Sequence, residues 1–188
     1  MSLFSRNIAE HLELLQRLDV IAPDVDRSGE LLASILKAGG KIMICGNGGS
    51  AADSQHIASE LTGRFVNDRR PLAALALTTD TSALTCISND YAYDQVFTRQ
   101  VLGLGRPGDC LIGISTSGNS GNVISAVQAA RDNGIHTIGL LGRDGGQLRD
   151  QVEVPIVVPG NVTARIQEMH LLIAHTLCGL IEEHLGFA

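Results

Sequence analysis

Five short apolar runs, near residues 41–45, 72–78, 110–114, 136–141 and 152–158, alternate with stretches of helical period. No other feature constrains the fold as much. A strand buried on one face alternates apolar and polar residues. A run that is apolar throughout is buried on both faces, which calls for helices above and below a parallel sheet. The intervening helices are expected near 50–61, 81–102 (broken at the Asn89-Asp90 turn) and 120–133, with a last helix over roughly 162–185. Leu14, Leu15, Leu18 and Ile21, then Leu31, Leu32, Ile35 and Leu36, recur at steps of three and four. They predict two helices within 4–38, broken near Ala22-Pro23 and stopped at Gly39-Gly40. The expected architecture is one α/β domain over 1–188: a three-layer α/β/α sandwich with a five-stranded parallel sheet, residues 39–188 forming the core. The leading helices of 1–38 would cap the sheet or pack against another subunit. On the last helix Leu171, Leu172, Leu177 and Leu180 read as core.

In such sheets ligands sit beyond the carboxyl ends of the strands. Two loops fall there: Gly46-Asn47-Gly48-Gly49-Ser50 after the first run, and Ser115-Thr116-Ser117-Gly118-Asn119-Ser120-Gly121 after the third. A strand, a hydroxyl-rich turn and a helix N-terminus together hold a phosphate, through free backbone N–H groups, the helix dipole and serine hydroxyls. Two such loops in one domain point to a phosphorylated small molecule. A formal charge of −6 with 3% aromatic residues and no Trp argues against nucleic acid as partner. Walker A, a G-x-S-x-G elbow and a Ser-His-Asp order are all missing from the sequence. A dinucleotide reading is weak, because the first loop fits only the relaxed fingerprint ending in Ala51 and the run 72–78 has no ribose-binding acid. Cys45, Cys86, Cys110 and Cys178 form no C-x-x-C pair, and three sit in apolar contexts, as buried free thiols in a reducing compartment do. The polar-interrupted start is no signal peptide, and no apolar stretch approaches the ~20 residues of a membrane span. A cytoplasmic protein is expected.

Several residues could do chemistry. His56 and Glu60 lie at i, i+4, on one face of the helix that begins in the first loop. They read either as a surface pair or as the start of a divalent metal site. Gln167 and His175 lie eight residues apart on the last helix, roughly 12 Å along it and turned about 80°. That spacing is a weak metal signal, and by spacing alone His175 reads as a packed helix histidine. Glu168 and His170 read as surface groups or supports. Asn89-Asp90 reads as a turn or cap, or as an acceptor for sugar hydroxyls. Gly142-Arg143-Asp144-Gly145-Gly146 lacks hydroxyls and reads as a turn. Arg64 could reach a phosphate, whereas Arg69-Arg70 read as exposed.

The combination of Cys45-Gly46-Asn47-Gly48-Gly49-Ser50, Ile114-Ser115-Thr116-Ser117-Gly118-Asn119-Ser120 and Arg165-Ile166-Gln167-Glu168 resembles the sugar-isomerase (SIS) domain family over essentially the whole chain. Its fold is flavodoxin-like. The pairs His56 with Glu60 and Gln167 with His175 resemble its enzymes acting on seven-carbon sugar phosphates. The resemblance implies isomerisation of sedoheptulose 7-phosphate to D-glycero-D-manno-heptose 7-phosphate, for glycans such as lipopolysaccharide. It implies a zinc site of His56, Glu60, Gln167 and His175, with Glu60 as base and His175 as acid. It further implies Ser50, Ser115, Thr116, Ser117 and Ser120 around the phosphate, and Asn47, Asp90 and Gln167 near the sugar. The assembly it implies is a homotetramer with sites at subunit interfaces. Some members carry an acidic residue where this chain has Ala164. A non-catalytic branch that binds a replication initiator also has Ala-Arg-Ile-Gln-Glu-Met-His but lacks the counterparts of Glu60 and His175; their presence favours the enzyme. An SIS protein for another sugar phosphate is the remaining alternative.

Overall fold

The computed structural model describes residues 1–187. The apolar runs form strands β1 (Ile42–Gly46), β2 (Ala74–Ala76), β3 (Cys110–Ser115), β4 (His136–Gly142) and β5 (Val154–Val158), all parallel in the order β2-β1-β3-β4-β5. Seven helices accompany them among the described residues: α1 (Leu3–Leu15), α2 (Ala22–Lys37), α3 (Gly49–Thr62), α4 (Thr81–Asp90), α5 (Thr98–Leu104), α6 (Gly121–Asp132) and α7 (Thr163–His184).

Alternation along the strands divides the core into two layers. Ile44, Ile112, Ile138 and Val154 stand in register across four strands, on the face covered by α2, α3 and α7. Met43, Cys45 and Leu111 point the other way, against Val101 of α5 and Val123 and Val127 of α6. Covering both faces explains why the runs carry no polar alternation. Cys45, Cys110 and Cys178 are buried free thiols, and Cys86 is exposed.

Three expectations are corrected. The leading helices part at residues 16–21, where Leu18–Ile21 make a single 3-10 turn, not at Ala22-Pro23. Pro23 occupies the first turn of α2, where its missing N–H has no helical partner to lose. Leu172 is 45% exposed, on the outer side of α7. His170 is neither a surface group nor a site support. It is 1% exposed, its Nε2–H donates to the Leu141 carbonyl at 2.9 Å, and its Nδ1 has no partner.

Where α2 packs along α7 and β5, α1 rides outside and leaves Leu3, Phe4, Ile8 and Leu12 exposed. Among the described residues no helix is long and apolar enough to cross a membrane.

Burial pushes the His170 imidazole down from 6.5 to about 4, against the partial support of the Leu141 carbonyl. Between these values the unfolded chain binds the extra proton and the folded chain does not. Stability therefore falls as pH drops from 6.5 towards 4, by at most about 3 kcal/mol from this group. Urea unfolding at pH 7 and pH 5 should show the loss, and His170→Gln should flatten it. Equal slopes for the two proteins would refute the assignment.

Candidate functional site

The sheet order reverses between β1 and β3. From its carboxyl end β1 feeds α3 on one face, and β3 feeds α6 on the other, so a crevice opens between the two turns. Helices α1 and α4 begin under side-chain caps from Ser2 and Asp80. Neither α3, entered through Gly48 at φ +57°, nor α6, entered through Ser120, has such a cap. The Ser50 and Val123 N–H groups bond the Asn47 and Ser120 carbonyls at 3.0 Å, which leaves the N–H groups of Gly49, Gly121 and Asn122 without a partner among the described residues. The Ser115 and Ser120 hydroxyls pair at 2.8 Å at the mouth of α6, Ser117 Oγ accepts the Asn119 N–H at 3.2 Å, and Thr116 is half-buried beside them. Ser50 lies nearly buried in the first turn of α3.

The two loops are bonded to each other. The side-chain amides of Asn47 and Asn122 exchange two hydrogen bonds, each 2.8 Å, and the Tyr93 hydroxyl donates to Asn47 Oδ1 at 3.0 Å. Asn122 and Tyr93 escaped sequence reasoning. The only signal for Asn122 is its place in the first turn of the helix that follows the serine loop. The 142–146 segment is a turn closed by the Gly145 N–H on the Gly142 carbonyl at 2.9 Å. It braces the serine loop: the Leu148 N–H donates to the Gly118 carbonyl at 3.0 Å and the Gln147 N–H to Asn119 Oδ1 at 3.1 Å. Gly118 has φ +66°, and a Cβ there would lie 1.9 Å from the Gly145 carbonyl oxygen.

On the other side of the crevice α3 and α7 run side by side in the same direction, so equal steps along each stay matched. Gln167 meets Gly49 and Asp53, eight residues later His175 meets His56, and Glu182 meets the segment after α3. The eight-residue spacing that is weak along one helix is met by a seven-residue spacing on its neighbour, within one chain. Donor atoms of His56, Glu60 and His175 lie within 4.8 Å of one another. The two histidine Nε2 atoms are 2.9 Å apart, and Glu60 Oε1 is 3.4 Å from that of His56. Two imidazole nitrogens and a carboxylate oxygen gathered this closely suit a divalent ion of intermediate softness.

Gln167 is not in that cluster. Its Nε2–H donates to Asp53 Oδ2 at 3.3 Å, and a Cβ on Gly49 would lie 1.9 Å from the same nitrogen, so this glycine is a space for glutamine. Asp53 was missed, although it stands three residues before His56 on the same helix face. Burial raises its carboxyl above the ordinary range, partly opposed by the Gln167 hydrogen bond and the His56 charge.

Asp90 ends α4 exposed, bonded by the Asn89 amide at 2.8 Å and the Cys86 thiol at 3.4 Å, and these two contacts hold its carboxyl below the ordinary range. Among the described residues it makes no hydrogen bond to either loop. Glu168 is at the surface, paired with His11 and Arg165 at 2.8 Å each, and Arg64 is exposed. The expectation of an exposed Arg69 is corrected: its side chain is 0% exposed and pairs with Glu182 at 2.7 Å.

A family model described as the SIS domain matches residues 6–142. The phosphoheptose isomerase of Aliarcobacter butzleri is 54% identical over 177 residues, 94% of either chain. That of Thiobacillus denitrificans is 57% identical over 171 residues, 89% of this chain and 87% of its own. The solved structure of phosphoheptose isomerase GmhA from Neisseria gonorrhoeae superposes with a TM-score of 0.91 at 48% identity, covering 96% of this chain and 97% of that one.

The contact between the 142–146 turn and the serine loop is testable by itself. Gly118→Ala adds a Cβ against backbone at a left-handed position, and should cost about 2 kcal/mol in denaturant unfolding. An unchanged midpoint would mean that the glycine turn and the serine loop are not held together.

Proposed function

The chain belongs to the SIS domain family, and from that membership together with the site we infer that it isomerises sedoheptulose 7-phosphate to D-glycero-D-manno-heptose 7-phosphate in heptose biosynthesis. It is a ketose–aldose isomerase. The observation that carries the residue assignments is the convergence of His56, Glu60 and His175 beside two uncapped helix N-termini.

The phosphate is assigned to the α6 mouth and the first turn of α3, to the hydroxyls of Ser115, Thr116, Ser117, Ser120 and Ser50. Holding this end fixes how far the carbonyl end reaches, which supplies orientation and selects chain length. Asn47, Asp90 and Gln167 are assigned to the sugar hydroxyls. In the open-chain ketose the C1 hydrogens are acidified by the C2 carbonyl. Glu60, the carboxylate of the cluster, takes a C1 proton to leave an enediolate, and a proton is returned at C2. His175 exchanges the proton between the two oxygens, which moves the carbonyl to C1. His56, Glu60 and His175, joined by Gln167 once it leaves Asp53, are the residues assigned to hold zinc. A bound divalent ion would supply Lewis acidity to the carbonyl oxygen and to the charge that develops there.

We further assign a homotetramer, with α1 in the contacts between subunits. What supports this is the exposed apolar row Leu3, Phe4, Ile8, Leu12 and Leu15 along α1. A cytoplasmic location accords with the free, buried thiols of Cys45, Cys110 and Cys178.

Product formation from sedoheptulose 7-phosphate should fall on chelation and recover with zinc, and Glu60→Gln should lower kcat at least about 100-fold. Turnover indifferent to chelation would remove the metal assignment, and an active Glu60→Gln would remove the base. Light scattering should give a tetramer for the parent and smaller species for Phe4→Asp combined with Leu12→Asp. A parent that runs as a monomer would refute the assembly.

A further inference from the structure

The pair Arg69–Glu182 joins the two helices that carry the donor cluster, through α7 on one side and the last turn of α3 on the other. The Glu182 carboxylate, on α7, accepts the Arg69 Nε–H at 2.7 Å and the backbone N–H groups of Phe65, Val66 and Asn67 at 3.3 Å each. Arg69 in turn donates to the carbonyls of Glu60 at 2.9 Å and Leu61 at 3.0 Å in the last turn of α3, the latter shared with the Leu72 N–H. Burial alone would raise the Glu182 carboxyl, but these donors hold it below the ordinary carboxylate range. A buried ion pair is a poor device for stability, since desolvation offsets much of the attraction. This one fixes geometry: it straps residues 65–67, a segment whose Val66 is 63% exposed, onto α7.

The strap brings one ring to the cluster. Phe65 stacks on His175 with centroids 5.5 Å apart and planes at 24°. It also covers Gly179, one turn further along α7, where a Cβ would lie 3.8 Å from its Cε1. His175 meets His56 edge-on at 5.1 Å and 67°. One face of the His175 ring is thus fixed by Phe65 while its Nε2 points at His56. A half-buried histidine on a helix has two soft torsions, and a flat apolar neighbour held from outside removes that freedom.

We propose that Phe65 is a positioning residue for His175, held by the Glu182–Arg69 clasp, so that the His175 nitrogen is aimed before metal or substrate arrives. This rests on the reading of His56, Glu60 and His175 as the metal-binding acid–base cluster.

The test measures zinc affinity by competition with a chromophoric chelator, kcat and KM for sedoheptulose 7-phosphate, and the melting temperature. Phe65→Leu keeps apolar volume and removes the flat ring. It should melt close to the parent, bind zinc about tenfold more weakly and lose about tenfold in kcat, with KM within about twofold. Phe65→Tyr should restore both. Phe65→Leu with the parent's zinc affinity and kcat overturns the proposal, as does a Phe65→Tyr that fails to restore them. His175→Gln is measured alongside. If it loses zinc affinity and turnover while Phe65→Leu keeps both, the proposal alone falls. If it keeps both, the reading of the cluster falls and the proposal with it.

Discussion

Everything at the site depends on one topological constraint, the reversal of strand order between β1 and β3. Neighbouring parallel strands whose following helices lie on opposite faces cannot close over their carboxyl ends, and the gap is lined by backbone groups from both turns. Residues 46–50 and 115–121 line that gap, and each leads into a helix with no side-chain cap. The phosphate site proposed there would thus be a property of the winding first and of the serines second.

The same winding sets the chemistry. Helices that follow parallel strands on one face run in the same direction, so α3 and α7 stay in step over their length. Gln167 with Asp53, His175 with His56 and Glu60, and Glu182 with the segment after α3 are three successive levels of one helix pair. In the proposed function the level nearest the loops faces the sugar and the middle one supplies the acid–base groups, while the last ties α7 to the segment after α3.

The sequence exposed the layers, because apolar runs and helical periods are local patterns, and the five strands fall within or beside the runs. It exposed the two loops for the same reason. His56 with Glu60 was legible as an i, i+4 pair, but the meeting with His175 came from the family resemblance alone, since spacing along α7 says nothing of which helix lies beside it. Gly49 was read only as part of the first loop and is also the space that admits Gln167. Arg69 looked exposed because a lone arginine carries no mark of a carboxylate 113 residues away, and His170 looked like a surface group because burial without a second partner leaves no pattern. Pro23 looked like a break because proline is read as one wherever it stands, yet in a first turn it is compatible with the helix.

The amide pair of Asn47 and Asn122 has a consequence for how the crevice responds to its surroundings. Two neutral amides that exchange one hydrogen bond in each direction carry no net charge and no titratable proton. The Arg69–Glu182 clasp weakens once acid neutralises its carboxylate, whereas the join between the two loops is indifferent to acidity and little affected by ionic strength. The join across the mouth assigned to the phosphate therefore does not itself titrate, and a singly or doubly ionised phosphate would meet the same opening.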